Sequence, residues 1–314
     1  MNREKVKIGA LRELLLVIIL IVMCIVWTIM NKNFATVNNV MNILRVASYT
    51  AIASVGMTMI IIIGEIDLSA GSLVCVSGLS AALIVKGTNN IVLGIIAALV
   101  IGALVGLFNG VVCAIGKLPG FIATLASMTI LRGIAYIITG GNSVVWTNQM
   151  FSKIGTGYVG PIPVPVLIMI VVVIFGVILT TKIRFGRYIY AVGGNSNASR
   201  WSGISVEKVK IIVYVIMGVL TSIAGLIITT RLGSGQPSAG TGFEMDCITA
   251  VVVGGTSMAG GKGKVMGTIV GVLLIATLTN GMTLVGIDTY WQQVIKGAII
   301  VVAVLIDSKG KSAN

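Results

Sequence analysis

IVLGIIAALVIGALVGLFNGVVCA, residues Ile91–Ala114, contains no charged side chain and a single amide, Asn109. About 20 apolar residues make a helix long enough to cross the hydrocarbon core of a bilayer. Inside that core a backbone must satisfy its own hydrogen bonds, which a helix does. The stretch therefore reads as a transmembrane helix. Working outward, similar runs precede it at Leu14–Met30, Val46–Ile63 and Leu68–Val85. Others follow at Phe121–Thr139, Pro165–Thr181, Ile211–Thr230, Cys247–Ala259, Val265–Val285 and Tyr290–Ile306. Cys247–Ala259 is too short to span unaided and reads as a broken or tilted helix. The expected fold is an all-α polytopic membrane protein of about ten transmembrane helices, one domain over residues 1–314.

Composition agrees. Hydrophobic residues make up 56% of the 314 and charged residues 10%, against roughly 25% charged in a soluble domain. Histidine is absent, which excludes Ser–His and Cys–His nucleophilic pairs, imidazole metal sites and His-ligated haem. Cys24, Cys75, Cys113 and Cys247 stand alone inside apolar runs and read as small packing residues, without a disulfide framework or a zinc site. No metal, cofactor or enzymatic activity is expected.

Charge orients the chain. There are 22 Lys+Arg against 9 Asp+Glu, a net +13, and most of the basic residues lie in loops and tails. No basic stripe with interleaved aromatics suggests nucleic acid, and the pattern is the positive-inside bias of a membrane protein. Lys182–Lys210 is rich in Lys and Arg, Lys262 and Lys264 share one turn, and the tails 1–13 and 307–314 are basic. All are expected in the cytoplasm, which requires an even number of crossings. Gly140–Val164 carries only Lys153 together with Pro161 and Pro163, and reads as an extended outer loop. The first apolar run exceeds the roughly 7–15 residues of a signal-peptide core and is expected to be retained as a helix.

Gly102, Gly106 and Gly110 repeat every four residues, as do Gly267 and Gly271. On a helix this makes a smooth ridge for close packing, with pore lining as the alternative. Two near-motifs fail. Gly155-Thr-Gly157-Tyr-Val-Gly160 matches GxGxxG but lies in the Pro-rich loop, without the strand and helix a dinucleotide site requires. Gly255–Gly263, GTSMAGGKG, has the wrong glycine spacing before Lys262, and Gly263 replaces the magnesium-binding Ser/Thr of a phosphate loop. ATP-driven work must come from a partner.

Three polar segments stand out. In Gly64–Ser72, Glu65 and Asp67 are two carboxylates at membrane depth, costing roughly 2.5–3.5 kcal/mol each. Asp67, with Ser69 and Gly71, is expected to cap the third span or to contact cargo or a partner. In Arg184–Ile204, Gly193 and Gly194 read as a turn, Asn195 as a cap, and Ser196–Ser202 as a short amphipathic helix stopped by Gly203. That helix bears Ala198, Arg200 and Trp201 and suits docking into a groove of another protein or lying at lipid headgroups. In Leu232–Ser257, a Gly/Ser/Thr-rich stretch interrupts the helical pattern, which membrane depth tolerates only under protein or water cover. Glu244 and Asp246 precede a short apolar helix followed by Gly254 and Gly255, as Glu65 and Asp67 precede the third span. Spans two to five enter from outside and spans seven to ten from inside, the arrangement of an inverted repeat.

At AVGGNSNASRWSGISVEKVKIIVY (Ala191–Tyr214), QPSAGTGFEMDCITAVVVGGTSMAGGKG (Gln236–Gly263) and IDLSAGS (Ile66–Ser72) the chain resembles the permease subunits of bacterial ribose-type sugar ABC transporters. The resemblance extends over nearly the whole chain, with one departure: position 65 is commonly glycine in that family. It implies monosaccharide import through the inner membrane by alternating access. The implied partners are a second permease chain (identical or paralogous), cytoplasmic ABC ATPase subunits and an extracytoplasmic sugar-binding protein. It also implies that Asn195–Ile204 is the coupling helix receiving the ATPase stroke. Sugar-pathway candidates are Asn109, Thr124, Ser127, Thr277 and Asn280, whose alternative role is hydrogen bonding between helices. The competing class is an ion-coupled secondary transporter, for which Glu65 and Asp67 are the only obvious intramembrane pair.

Overall fold

The computed structural model describes the backbone of residues 3–312 and the side chains of residues 14–305. The basic side chains of the tails at 1–13 and 307–314 lie outside the described residues. Thirteen helices follow in order: α1 (Arg3–Met30), α2 (Val37–Ile62), α3 (Ala70–Thr88), α4 (Ile91–Ala114), α5 (Gly120–Thr139), α6 (Gln149–Thr156), α7 (Val164–Thr181), α8 (Arg184–Gly194), α9 (Ser196–Trp201), α10 (Val206–Leu232), α11 (Phe243–Val253), α12 (Val265–Leu284) and α13 (Thr289–Ser312). Among the described residues, α2, α3, α4, α5, α7, α10 and α12 are long and apolar enough to cross a membrane. The chain is a polytopic α-helical membrane protein. Shorter apolar stretches lie in α1 (Leu14–Met30) and α13 (Thr289–Leu305).

Helix α10 is the hub, packing on α4, α2 and α3, while α2 also packs on α12, α11 and α7. Of the best apolar window, 83% is buried in α2 but only 22% in α4 and 28% in α5. The first is therefore interior and the other two are rim helices. The glycine ridge of α4 explains the α4–α10 contact. A methyl group on Gly102 would overlap Gly218 O and Ser222 Oγ, and one on Gly106 would overlap Tyr214 O. In α12, Gly267 meets the O of Gly254, just after α11, and Gly271 meets Ala250 O within α11, in the same way. Both ridges bring backbones together, the packing role of small residues in membrane helices.

The connections gather on two opposite faces. On one, Gly261 N–H donates to Ile62 O (2.8 Å), Tyr190 Oη donates to Gly263 O (2.8 Å) and Lys210 pairs with Glu65. This joins the α2–α3 turn, the α4–α5 turn, α8–α9 and residues 254–264, and brings Lys117, Lys182, Arg184, Arg187, Lys262 and Lys264 to one end of the bundle. On the other face, Asn148 Nδ2 donates to Asn89 Oδ1 (2.8 Å) and Asn31 Nδ2 to Leu284 O (2.8 Å).

Two expectations change here. Gly140–Val164 is not simply an extended loop. Asn148 Oδ1 accepts from Met150 N (3.0 Å) and Phe151 N (3.1 Å) and starts the eight-residue α6. A two-stranded ribbon follows, β1 (Tyr158–Val159) against β2 (Ile162–Pro163). The eighth apolar run begins and ends earlier than expected, as the 11-residue α11, because Gly254 and Gly255 stop it. At about 1.5 Å per residue it is about half the length that a bilayer crossing needs.

Candidate functional site

The element on the basic face is built locally. Asn195 sits in extended backbone between α8 and α9, and its Oδ1 accepts from Ala198 N (2.9 Å). Ser199 Oγ donates to Asn195 O (2.9 Å). Gly203, at φ +80°, lets Gly203 N reach Arg200 O and Ile204 N reach Ser199 O (both 3.0 Å), so the helix stops where the sequence says. Ser202 is the C-cap and lies outside the helix. Gly193 and Gly194 form no separate turn, because both belong to the last turn of α8. Gly193 lies directly on Ile62 O, where any side chain would collide. Ala198 is exposed, Arg200 pairs with Glu207 of α10, and Trp201 is 90% exposed. A tryptophan this free on a capped, rigid helix is a ready contact for a partner. Burial holds the Tyr190 phenol above its usual range, which keeps it protonated as the donor tying α8 to residues 254–264.

The Asp67 cap is not made. Helix α3 starts at Ala70 with Ser69 as N-cap and no side-chain cap bond, two residues later than the sequence suggests. The Asp67 carboxylate is left in the preceding turn, where Oδ1 accepts from Ser69 N (2.8 Å) and Ser69 Oγ (2.6 Å). Asn109 Nδ2 then donates to Ser69 Oγ (3.0 Å), and Ser127 Oγ to Asn109 Oδ1 (2.5 Å). Thr124 Oγ1 accepts from Leu68 N (3.0 Å) and lies 2.8 Å from Gly120 O. The structure thus brings Asn109, Thr124 and Ser127 together, in a buried network tying α4 and α5 to the Asp67 turn. Asn280 lies elsewhere, paired with Asn39 of α2 through two hydrogen bonds of 2.8 and 2.9 Å. Thr277 is buried within α12.

Glu65 and Lys210 are largely buried, with side chains 12% and 21% exposed. Glu65 Oε2 also accepts from Gly120 N (3.0 Å), so one carboxylate fastens the α2–α3 turn to the start of α5 and to α10. A cavity of about 350 Å³ opens beside it, lined by Lys117, Arg200 and Glu207 among others.

Across the bundle, Glu244 and Asp246 fall inside the first turn of α11, after an N-cap at Gly242. There they complement the helix dipole, and the Glu244 carboxylate accepts from the backbone of Gly242 and of Glu244 itself. Asp246 pairs with Lys296 of α13 (2.8 Å), whereas Glu244 turns to Gly71, where a methyl group would overlap Glu244 Oε2 and Gly240 O. Gly254 is the C-cap of α11, and Gly255 takes φ +95° to begin the tight 254–263 turn. Arg132 has a role the sequence reading missed. Its Nη1 donates to Pro237 O and Ala239 O (both 2.8 Å), satisfying carbonyls of irregular backbone at membrane depth. The signal was present: Arg132 is the one charge in the α5 run, and an ionisable residue inside a span marks a site. The cavity it lines holds about 470 Å³.

A polytopic helical bundle with an exposed, capped knob on its basic face is a frame to set beside known membrane proteins. Residues 39–304 match the family model described as branched-chain amino acid transport system / permease component, and the chain belongs to that family. It is 44% identical over 298 residues to the ribose import permease protein RbsC of Escherichia coli (strain K12), covering 94% of this chain and 92% of that protein. With RbsC of Haemophilus influenzae the identity is 46% over 297 residues, 93% of this chain and 91% of that one. With the xylose transport system permease protein XylH of Escherichia coli (strain K12) it is 36% over 356 residues, 94% and 90% of the two chains. No solved structure matches the chain.

Proposed function

We propose that this chain is the membrane-spanning permease subunit of an ATP-binding-cassette importer that moves a monosaccharide, ribose or a similar sugar, across a bacterial inner membrane. Family membership and near full-length similarity to permeases named for ribose and xylose support the substrate class. The partners are cytoplasmic ATPase subunits, an extracytoplasmic sugar-binding protein, and a second copy of the chain within the lipid bilayer.

The observation that carries the mechanism is the exposed Trp201 on a capped α9, anchored through α8 to the end of α2 and through Glu207 to α10. A force applied there reaches both central helices. ATP-driven closure of the ATPases tilts them and opens the pathway to the binding protein, and reopening releases sugar inward. The basic face is then cytoplasmic. With α1, α13 and the short α11 counted, the chain crosses ten times with both termini inside.

The inverted repeat of spans two to five and seven to ten has support in the packing. Helix α10 lies on α2, α3 and α4, while α2 lies on α10, α11 and α12. The first helix of each half thus clasps the first three of the other. The test is uptake by proteoliposomes holding permease, ATPase and binding protein. Ala198→Asp and Gly203→Pro are expected to abolish ATP-driven uptake while the protein still inserts. Uptake that survives ATP depletion but collapses with an uncoupler would indicate ion coupling instead.

A further inference from the structure

We propose that the cavity between α3, α5 and the start of α11 is a holding station for a neutral polyhydroxy ligand on its way through the bundle. The proposal rests on the import reading above. Ser72, Thr129, Arg132, Tyr136, Thr241 and Glu244 line the cavity. Arg132 lies 12 residues after the start of the 20-residue α5, about 18 Å along the helix, so the cavity sits within the membrane and away from the basic face.

Four observations point to a sugar. The charges balance, with one guanidinium on α5 and one carboxylate on α11, so the cavity favours no ion of one sign and admits a neutral solute. Arg132 gives its Nη1 bonds to two carbonyls, leaving its other guanidinium donors to face hydroxyls of a ligand. Ser72 Oγ is buried with no hydrogen-bond partner, an arrangement that costs free energy until a partner arrives. Tyr136 adds an aromatic face, which packs on the C–H side of a sugar ring. A few polar groups and one ring converging on a pocket is how small-molecule sites achieve orientation.

The other cavities fit this ligand less well. One of about 400 Å³ is lined by Leu104, Val105, Phe108, Ile130 and Leu131 with Ser127 alone, and it suits an acyl chain. The cavity beside Glu65 borders the α9 knob and carries unequal charge, three cations against two carboxylates.

The experiment uses the full importer in proteoliposomes, with ribose and xylose as probes and ATP hydrolysis measured in parallel. The wild type must first show ATP-dependent uptake, and its absence would overturn the import reading and the station together. Given that uptake, Glu244→Gln is expected to reduce sugar moved per ATP at least tenfold while binding-protein-stimulated hydrolysis stays within twofold. Tyr136 and Thr129 are exposed, so Tyr136→Leu and Thr129→Val fold even if the Glu244 variant does not. They are expected to shift the ribose-to-xylose ratio at least twofold, which a merely structural role would not do. Normal sugar per ATP and an unchanged ratio in Tyr136→Leu and Thr129→Val overturn the station and leave the import reading standing.

Discussion

Gly71 shows how much a single hydrogen in place of a side chain decides. A methyl group there overlaps Gly240 O and Glu244 Oε2, so Gly71→Ala is expected to cost about 1–3 kcal/mol by overpacking and to lower the thermal midpoint in detergent. The Glu65–Lys210 pair makes a second prediction. Lys210→Met leaves the mostly buried Glu65 carboxylate without its cation, at a cost of about 3 kcal/mol. Adding Glu65→Gln removes the stranded charge, and the double variant should recover much of that loss in the same measurement. Residue roles were legible in the sequence where they are local. Asn195 caps α9 and Gly203 ends it because each acts within a few positions. Glu65 was opaque because its cation lies 145 positions away. Asp67 was misassigned because a two-residue shift in the start of α3 turns a cap into a turn-closing carboxylate.

Elements were legible in proportion to their length and apolarity. Helix α4 can hardly be anything but a span, and its glycine ridge correctly implied a close neighbour, though not which one. That neighbour is α10, and Gly106→Leu would drive a side chain into Tyr214 O. This variant is expected to be more severe than Leu at Gly133, where nothing lies within 4 Å; expression and monodispersity in detergent measure the difference. Helix α6 was missed because it is short and amphipathic inside a polar loop, although Asn148 signalled its start. At α9 the expected outcome is functional. Trp201→Ala touches no packed neighbour and should preserve the folded permease while weakening ATPase co-purification at least fivefold. Unchanged co-purification would remove α9 from the docking role.

At the scale of the molecule, hydropathy and basic loops dictate an α-helical membrane bundle, while the pairing of distant helices and the site around Arg132 needed three dimensions. Of the polar side chains expected to line a pathway, Ser127 bonds to Asn109, which goes on to Ser69, and Asn280 pairs with Asn39. Hydroxyls and amides in a span look alike in sequence whether they face a ligand or a neighbouring helix. Orientation has its own test. In a background with the native cysteines replaced, Ser202→Cys should react with an impermeant thiol reagent only from the cytoplasm, and Asn142→Cys only from outside. The central claim is that the bundle does no work of its own and is driven through α9 by a separate ATPase. Its most direct measurement compares sugar uptake by proteoliposomes carrying the permease alone with uptake after ATPase, binding protein and ATP are supplied. Accumulation against a gradient is predicted only in the complete system, and accumulation by the permease alone under an ion gradient would contradict the account.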